Sequence, residues 1–196
     1  MGVGTRVLFG QADIKEHLIA TGATTFQTKP RDASPAFNFE AGWATYVANY
    51  DLYVAPVVSF TATRLNTKHT FANGTSLGVQ TDWYISLLGQ IGTQVHPNVI
   101  VFGEGGVAFA QQTLNVTFAS FSTSSIVPGV VAGGGVKFAV PDLNLFGNPV
   151  LITARYQHLW FNTIEGRPPG SAFDYRASTR ADRVGVSVEV PLGNGR

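Results

Sequence analysis

The chain has 196 residues, with 13 basic and 12 acidic side chains, a net charge of +1, 44% hydrophobic residues, 22 glycines and no cysteine. Charged residues make up 13% of it, against about 25% in an average soluble domain. This balance excludes a disordered chain, a coiled coil and the basic footprint of a nucleic-acid binder, and the lack of cysteine excludes disulfides and thiol-ligated metals.

Hydrophobicity alternates with period two through eight segments in turn. Residues 3–11 give the first, with Arg6 on its polar face. Residues 12–35 read as a long polar link, with one helical turn over Asp13–Leu18. Over 36–48, Phe37, Phe39, Ala41, Trp43, Thr45 and Val47 alternate with Asn38, Glu40, Gly42 and Ala44. Over 52–64, Leu52, Val54, Val58, Phe60 and Ala62 oppose Tyr53, Ser59, Thr61 and Thr63, and Pro56, which has no ladder donor, points to a bulge. The longest run, 77–95, sets Leu77, Val79, Trp83, Ile85, Leu87 and Ile91 against Gln80, Asp82, Tyr84, Ser86 and Gln90. Residues 99–111 oppose Val99, Val101, Val107 and Phe109 to Glu104, and residues 128–140 oppose Val130, Val136 and Phe138 to Gly133, Gly135 and Lys137. In 150–162, Val150, Ile152, Ala154, Tyr156 and Trp160 face away from Thr153, Arg155 and Gln157. In 180–192, Val184, Val186, Val188 and Val190 face away from Arg183, Gly185, Ser187 and Glu189.

Short links at Asn49-Tyr50-Asp51, His96-Pro97-Asn98 and 141–149 alternate with longer polar links at 12–35, 65–76, 112–127 and 163–178. That rhythm predicts one domain, an all-β, eight-stranded, antiparallel, up-and-down barrel with tight turns and both termini on one rim.

Alternation alone fits either a soluble, lipocalin-like barrel with its apolar face inward or a transmembrane barrel with that face outward. Charge separates the two. Arg6, Glu40, Asp82, Glu104, Lys137, Arg155, Arg183 and Glu189, four bases and four acids, share the polar face with small and amide side chains. A water-facing sheet would carry more Lys and Glu than this. The apolar face is free of charge over the centre of each strand, as a lipid-facing band requires. Phe37, Phe39, Phe60, Phe109 and Trp160 near the long-link ends, and Phe138 near a short turn, fit the aromatic positions of a membrane interface. These features favour the transmembrane β-barrel. No apolar stretch is long enough for a transmembrane helix, and no secretory signal peptide is visible, which leaves a cytoplasmic protein or a mature form whose leader has been removed.

Gly103–Ala110 resembles the glycine-rich fifth strand of the small opacity-type outer-membrane barrel proteins of Gram-negative bacteria, especially the alphaproteobacterial surface antigens. Gly133–Val140, Ile152–Leu159 and Arg183–Val190 resemble the sixth, seventh and last strands of the same family, so the likeness covers about 99–190. The resemblance implies an outer-membrane location, the lipid bilayer and lipopolysaccharide as surroundings, and assembly by the barrel-assembly machinery; no cofactor is expected, since the sequence offers no motif for one.

An eight-stranded lumen is just filled by side chains. The eight polar-face charges are therefore expected to pair across it, because isolated buried charges are costly; the alternatives are a narrow porin-like channel with a wet vestibule and a soluble carrier of an apolar ligand. His69 with Ser76 is the candidate catalytic pair, without an acid in the same link, and His96 belongs to turn chemistry. His158 is a polar exception on the outward face, and no metal-ligand spacing or phosphate-binding loop is present. The expected reading is a non-enzymatic surface protein with long extracellular loops.

Overall fold

The computed structural model describes residues 1–47, 51–145 and 147–190. Its strands are β1 (Gly2–Leu18), β2 (Ala23–Thr28), β3 (Arg31–Gly42), β4 (Thr45–Val47), β5 (Leu52–Thr70), β6 (Ser76–His96), β7 (Val99–Val116), β8 (Phe121–Leu145), β9 (Asn148–Gly166) and β10 (Phe173–Glu189). Each long strand pairs antiparallel with the next, and β10 returns to pair with β1, so the sheet is closed. β2, β3 and β4 form one stave in three pieces: β2 pairs with upper β1, β3 with lower β1 and β5, and β4 with the start of β5. The ring therefore has eight staves, an antiparallel up-and-down barrel.

The breaks in the second stave have local causes. Pro30 has no N–H to give, and its carbonyl accepts from Ala12 N at 3.1 Å. Pro56 faces the interruption between β3 and β4, where its missing donor leaves no gap in a ladder, and its carbonyl accepts from Trp43 N at 3.1 Å. Following partners from Arg6 leads one way through Ala36 to Thr63, and the other way through Gly185, Arg155, Gly135, Phe102 and Gly92 to Tyr53. These ends lie ten residues apart on β5, the stagger that tilts staves against a barrel axis.

Along the axis the barrel has two tiers. In the lower tier, toward the short turns, large apolar side chains point outward, among them Phe37, Phe39, Val58, Leu87, Val107 and Val184. The side chains that point inward there are mostly polar or charged. In the upper tier the sense is reversed. Ile14, Leu65, Leu77, Leu114, Ile164 and Tyr175 are buried inside, while Arg31, Arg64, Lys68, Glu165 and Arg176 point out. Bulges at Ala62/Leu65, Thr81/Trp83 and Ser178/Arg180 mark the junction.

This corrects several expectations. The links expected at 12–35, 65–76, 112–127 and 163–178 are largely sheet, because the staves continue above the apolar belt and pair as they go. Connections at that rim are short, at 19–22, 71–75, 117–120 and 167–172. The helical turn expected at Asp13–Leu18 is extended strand, held by ladders to β10 and β2 on its two sides. The turn residues Asn49 and Tyr50 and the strand end at 191–192 lie outside the described residues.

Candidate functional site

The lumen of the lower tier gathers the charged side chains. Arg6 on β1 and Arg155 on β9 converge on Glu40 of β3; the Arg6 guanidinium contacts Glu40 Oε1 directly, and Arg155 Nη1 donates to the same oxygen at 2.5 Å. Arg155 also lies 3.4 Å from Glu104 Oε1 and 3.6 Å from Glu189 Oε1. Nearer the short-turn mouth, Lys137 donates to Glu189 Oε2 at 2.6 Å and lies 5.3 Å from the ring centres of both Tyr53 and Phe102. Neutral side chains take up remaining acceptors: Gln157 and Gln90 donate to the two oxygens of Glu104 at 2.5 and 2.9 Å, Tyr53 donates to Gln90 at 3.1 Å, and Thr153 donates to Glu189 at 2.7 Å.

Backbone choice makes room for these long side chains. A Cβ at Gly185 would run into the Arg6 side chain and the Thr5 carbonyl, so glycine lets Arg6 lie against β10. Below the network, a cavity of about 280 Å³ opens at the short-turn rim between Tyr53, Ile100, Gln94 and Lys137.

Arg183 hydrogen-bonds to hydroxyl groups rather than directly to a carboxylate. It is 1% exposed, and its Nη1 donates to Thr61 Oγ1 at 2.9 Å and to Tyr84 OH at 2.6 Å. Asp82 does not join the lumen groups. It lies in the β6 bulge between buried Thr81 and partly exposed Trp83, where the inward parity switches from even to odd positions. Its carboxylate accepts from Gln80 Nε2 at 2.6 Å.

Phe37, Phe39, Phe60, Phe109, Phe138 and Trp160 are all exposed on the outer wall. The outer wall also carries a polar cluster that its sequence only half announces. Tyr156 OH donates to Asp182 Oδ1 at 2.5 Å, His158 Nδ1 lies 2.7 Å from the same oxygen, and the His158 ring centre is 4.1 Å from that of Trp160. Asp182 shares parity with Val184, Val186 and Val188, so the apolar face is not wholly free of charge. Cross-strand pairing with His158 is what allows a carboxylate there.

His69 and Ser76 are drawn into separate structural contacts. His69 packs against Phe71 and Phe26, with ring centres 4.8 and 5.8 Å away, and the Ser76 carbonyl accepts from Thr117 Oγ1 at 2.7 Å. In the upper tier Tyr175 OH donates to Glu16 Oε2 at 2.8 Å, and burial together with that carboxylate holds the phenol well above its usual range, so it stays a donor. The described residues include no cluster of three or more His, Asp or Glu able to hold a metal ion.

No family model and no curated protein matches the chain. Solved structures with a similar chain path include Ail, the attachment invasion locus protein of Yersinia pestis, in complex with the heparin analogue sucrose octasulfate, at 17% identity and a TM-score of 0.37 over 95% of this chain and 97% of that one. Neisserial surface protein A aligns at 14% identity and a TM-score of 0.43 over 92% and 96% of the two chains. The outer-membrane enzyme PagL aligns at 11% identity and a TM-score of 0.42 over 94% and 99%. No residue role is carried over from any of them.

Proposed function

We propose that this chain is a non-enzymatic outer-membrane β-barrel of a Gram-negative bacterium, with a structural and surface-presenting role. In this reading the lower tier spans the bilayer, the short-turn rim faces the periplasm, and the upper tier stands outside as a rigid crown. The reversal of side-chain sense between the tiers carries the proposal. A closed sheet with apolar residues outside and ion pairs within suits hydrocarbon surroundings, because every backbone group is satisfied inside the wall. A sheet with its apolar face inward suits water.

Other features support the same reading. The outward bases Arg31, Arg64, Lys68 and Arg180, on or above the upper part of the belt, suit the phosphates of lipopolysaccharide. The strand motifs at Gly103–Ala110 and Gly133–Val140 support kinship with the opacity-type barrels, and such a barrel would be inserted by the barrel-assembly machinery. The apolar plug above the ion-pair network supports an occluded lumen rather than a conduit. The His69 contacts favour packing over catalysis.

Fractionation of a Gram-negative host expressing the chain tests this directly. The expected result is recovery in the detergent-extracted outer membrane, with migration on a gel that shifts on heating, and negligible conductance in a planar bilayer. Recovery in the aqueous fraction would return the soluble carrier, and a steady single-channel current would return the narrow channel.

A further inference from the structure

One row of the outer wall carries two cations without an anion. Trp160 of β9, Arg180 of β10, Gln11 of β1 and Arg31 of β3 are cross-strand partners in turn, so they stand side by side on four neighbouring staves. Trp160, Arg180 and Arg31 are exposed and Gln11 is half-buried, while Leu159, Ala181 and Ala12 beside them are buried inside. The row slopes with the tilt of the staves. Register followed from Arg6 through β3 ends at Thr63, and followed the other way it ends lower on β5, at Tyr53. Trp160 is therefore the lowest member of the row and Arg31 the highest.

Two carboxylates are near, and both are engaged elsewhere. Asp182, two residues below Arg180, accepts from Tyr156 OH at 2.5 Å and lies 2.7 Å from His158 Nδ1, both on β9. Asp13, two residues above Gln11, accepts from Gln27 Nε2 at 2.7 Å and lies 3.8 Å from Lys29 Nζ. Among the described residues, neither Arg31 nor Arg180 has a hydrogen bond or an ion pair. Arg176, higher on β10, differs: Asp174 and Glu165 lie 3.1 and 3.4 Å from its Nε.

The wall beneath the row is apolar. Phe9, Val7 and Val184 are exposed there, and so are Ala33 and Pro35. An indole at the low end of the row marks the level at which hydrocarbon gives way to headgroups. The backbones of Arg180 and Arg31 are two strand spacings apart, about 10 Å. Their long stems can converge over the shorter Gln11 on one phosphate, whose oxygens match the guanidinium fork. A molecule that offers phosphate at this height and apolar chains below it is a phosphorylated lipid.

We propose that Arg180 and Arg31 clamp one phosphate of an outer-leaflet glycolipid over Gln11, with its acyl chains lying on the wall of Phe9 and Val184. The Tyr156–His158–Asp182 cluster then has a part to play. It draws the Asp182 carboxylate toward β9 and leaves Arg180 free for the lipid. The proposal rests on the outer-membrane reading and narrows it from a generally basic surface to one site.

The probe is lipid A carrying both phosphates, compared with lipid A from which they have been removed. Each is added to the full chain in detergent micelles, and bound lipid is counted by native mass spectrometry. A single phosphorylated lipid A should bind, and the dephosphorylated form should bind about tenfold more weakly. Arg31→Gln and Arg180→Gln should each weaken binding of the phosphorylated form about tenfold, and Arg176→Gln less than about twofold. All three side chains are exposed, so the variants should keep the heat-modifiable fold. Equal binding of the two lipids, an equal loss in Arg176→Gln, or displacement of the lipid by inorganic phosphate would overturn the proposal. So would the lack of an adduct on chain that was recovered from the outer membrane and shifts on heating, a result that leaves the outer-membrane reading standing. The comparison of the two lipids on wild type decides even if a variant does not fold.

Discussion

The two tiers of this barrel obey one backbone rule and opposite side-chain rules. In the lower tier Val107 and Val184 point out while Arg155 and Glu40 point in; in the upper tier Lys68 and Glu165 point out while Leu65 and Leu114 point in. The β1–β10 and β7–β8 ladders run unbroken from one tier to the other. Hydrogen bonding therefore shapes the wall, and what surrounds each tier decides which face carries oil. An apolar exterior with a charged lumen and a polar exterior with an apolar core are stacked in a single sheet.

Four substitutions and one paired control test that contrast, taken from the largest effect to the smallest. Glu40→Gln removes the carboxylate on which Arg6 and Arg155 meet, and both guanidiniums are deeply buried. It should cost about 3–5 kcal/mol of unfolding free energy, read from urea titrations of the folded and unfolded gel bands. If Glu40→Gln were neutral, the lower lumen would be wet and its charges singly solvated. Leu114→Ala, in the fully buried core of the crown, should cost about 3 kcal/mol by the same titration, within the usual range for leucine truncation. A much smaller loss would mean that the crown is loosely packed.

Val107→Arg addresses the outer wall. On the belt it should cost about 2–4 kcal/mol of folding into bilayers. Thr113→Arg, on the same strand but at the crown, should stay within about 0.5 kcal/mol. Equal costs at the two positions would erase the boundary between tiers. Apart from the Thr113→Arg control, the smallest effect is expected for Asp182→Asn. It weakens the hydrogen bonds from Tyr156 and His158 on a partly exposed surface, and should change stability by about 1 kcal/mol at most. A larger loss would place that cluster in contact with something more demanding than lipid.

The lower tier was legible because its alternation is clean. Val184, Val186 and Val188 on one parity and Arg183, Ser187 and Glu189 on the other announce a two-faced strand without help from tertiary structure. The crown was not legible, for two physical reasons. Its polar exterior has the composition of solvated links, so Asn66, Lys68, Asn115 and Ser124 read as loop although they sit in ladders with β6, β7 or β8. Bulges also change the parity between tiers: β6 buries Tyr84, Ser86 and Leu88 below its bulge but Leu77, Val79 and Thr81 above it. A pattern continued across that point puts Asp82 on the wrong side of the wall. The convergence of Arg6, Arg155 and Glu40 joins β1, β9 and β3, and the spacing of those residues carries no local trace of it.

Closure by β10 has a consequence for how the barrel comes into being. The ladder between β1 and β10 runs from Gly2↔Glu189 to Leu18↔Phe173, so the pairing that seals the wall joins the most distant strands of the chain. Loop-closure entropy opposes such a contact until nearly all else is in place, and folds dominated by such contacts form slowly. Without that ladder the sheet has two raw edges, and the lumen that holds Arg6, Glu40 and Arg155 is open along its length. Docking brings Arg183 across to Thr61 and Tyr84 and encloses the ionic groups at the same moment. The seam that closes the sheet is thus also the seam that buries the charges.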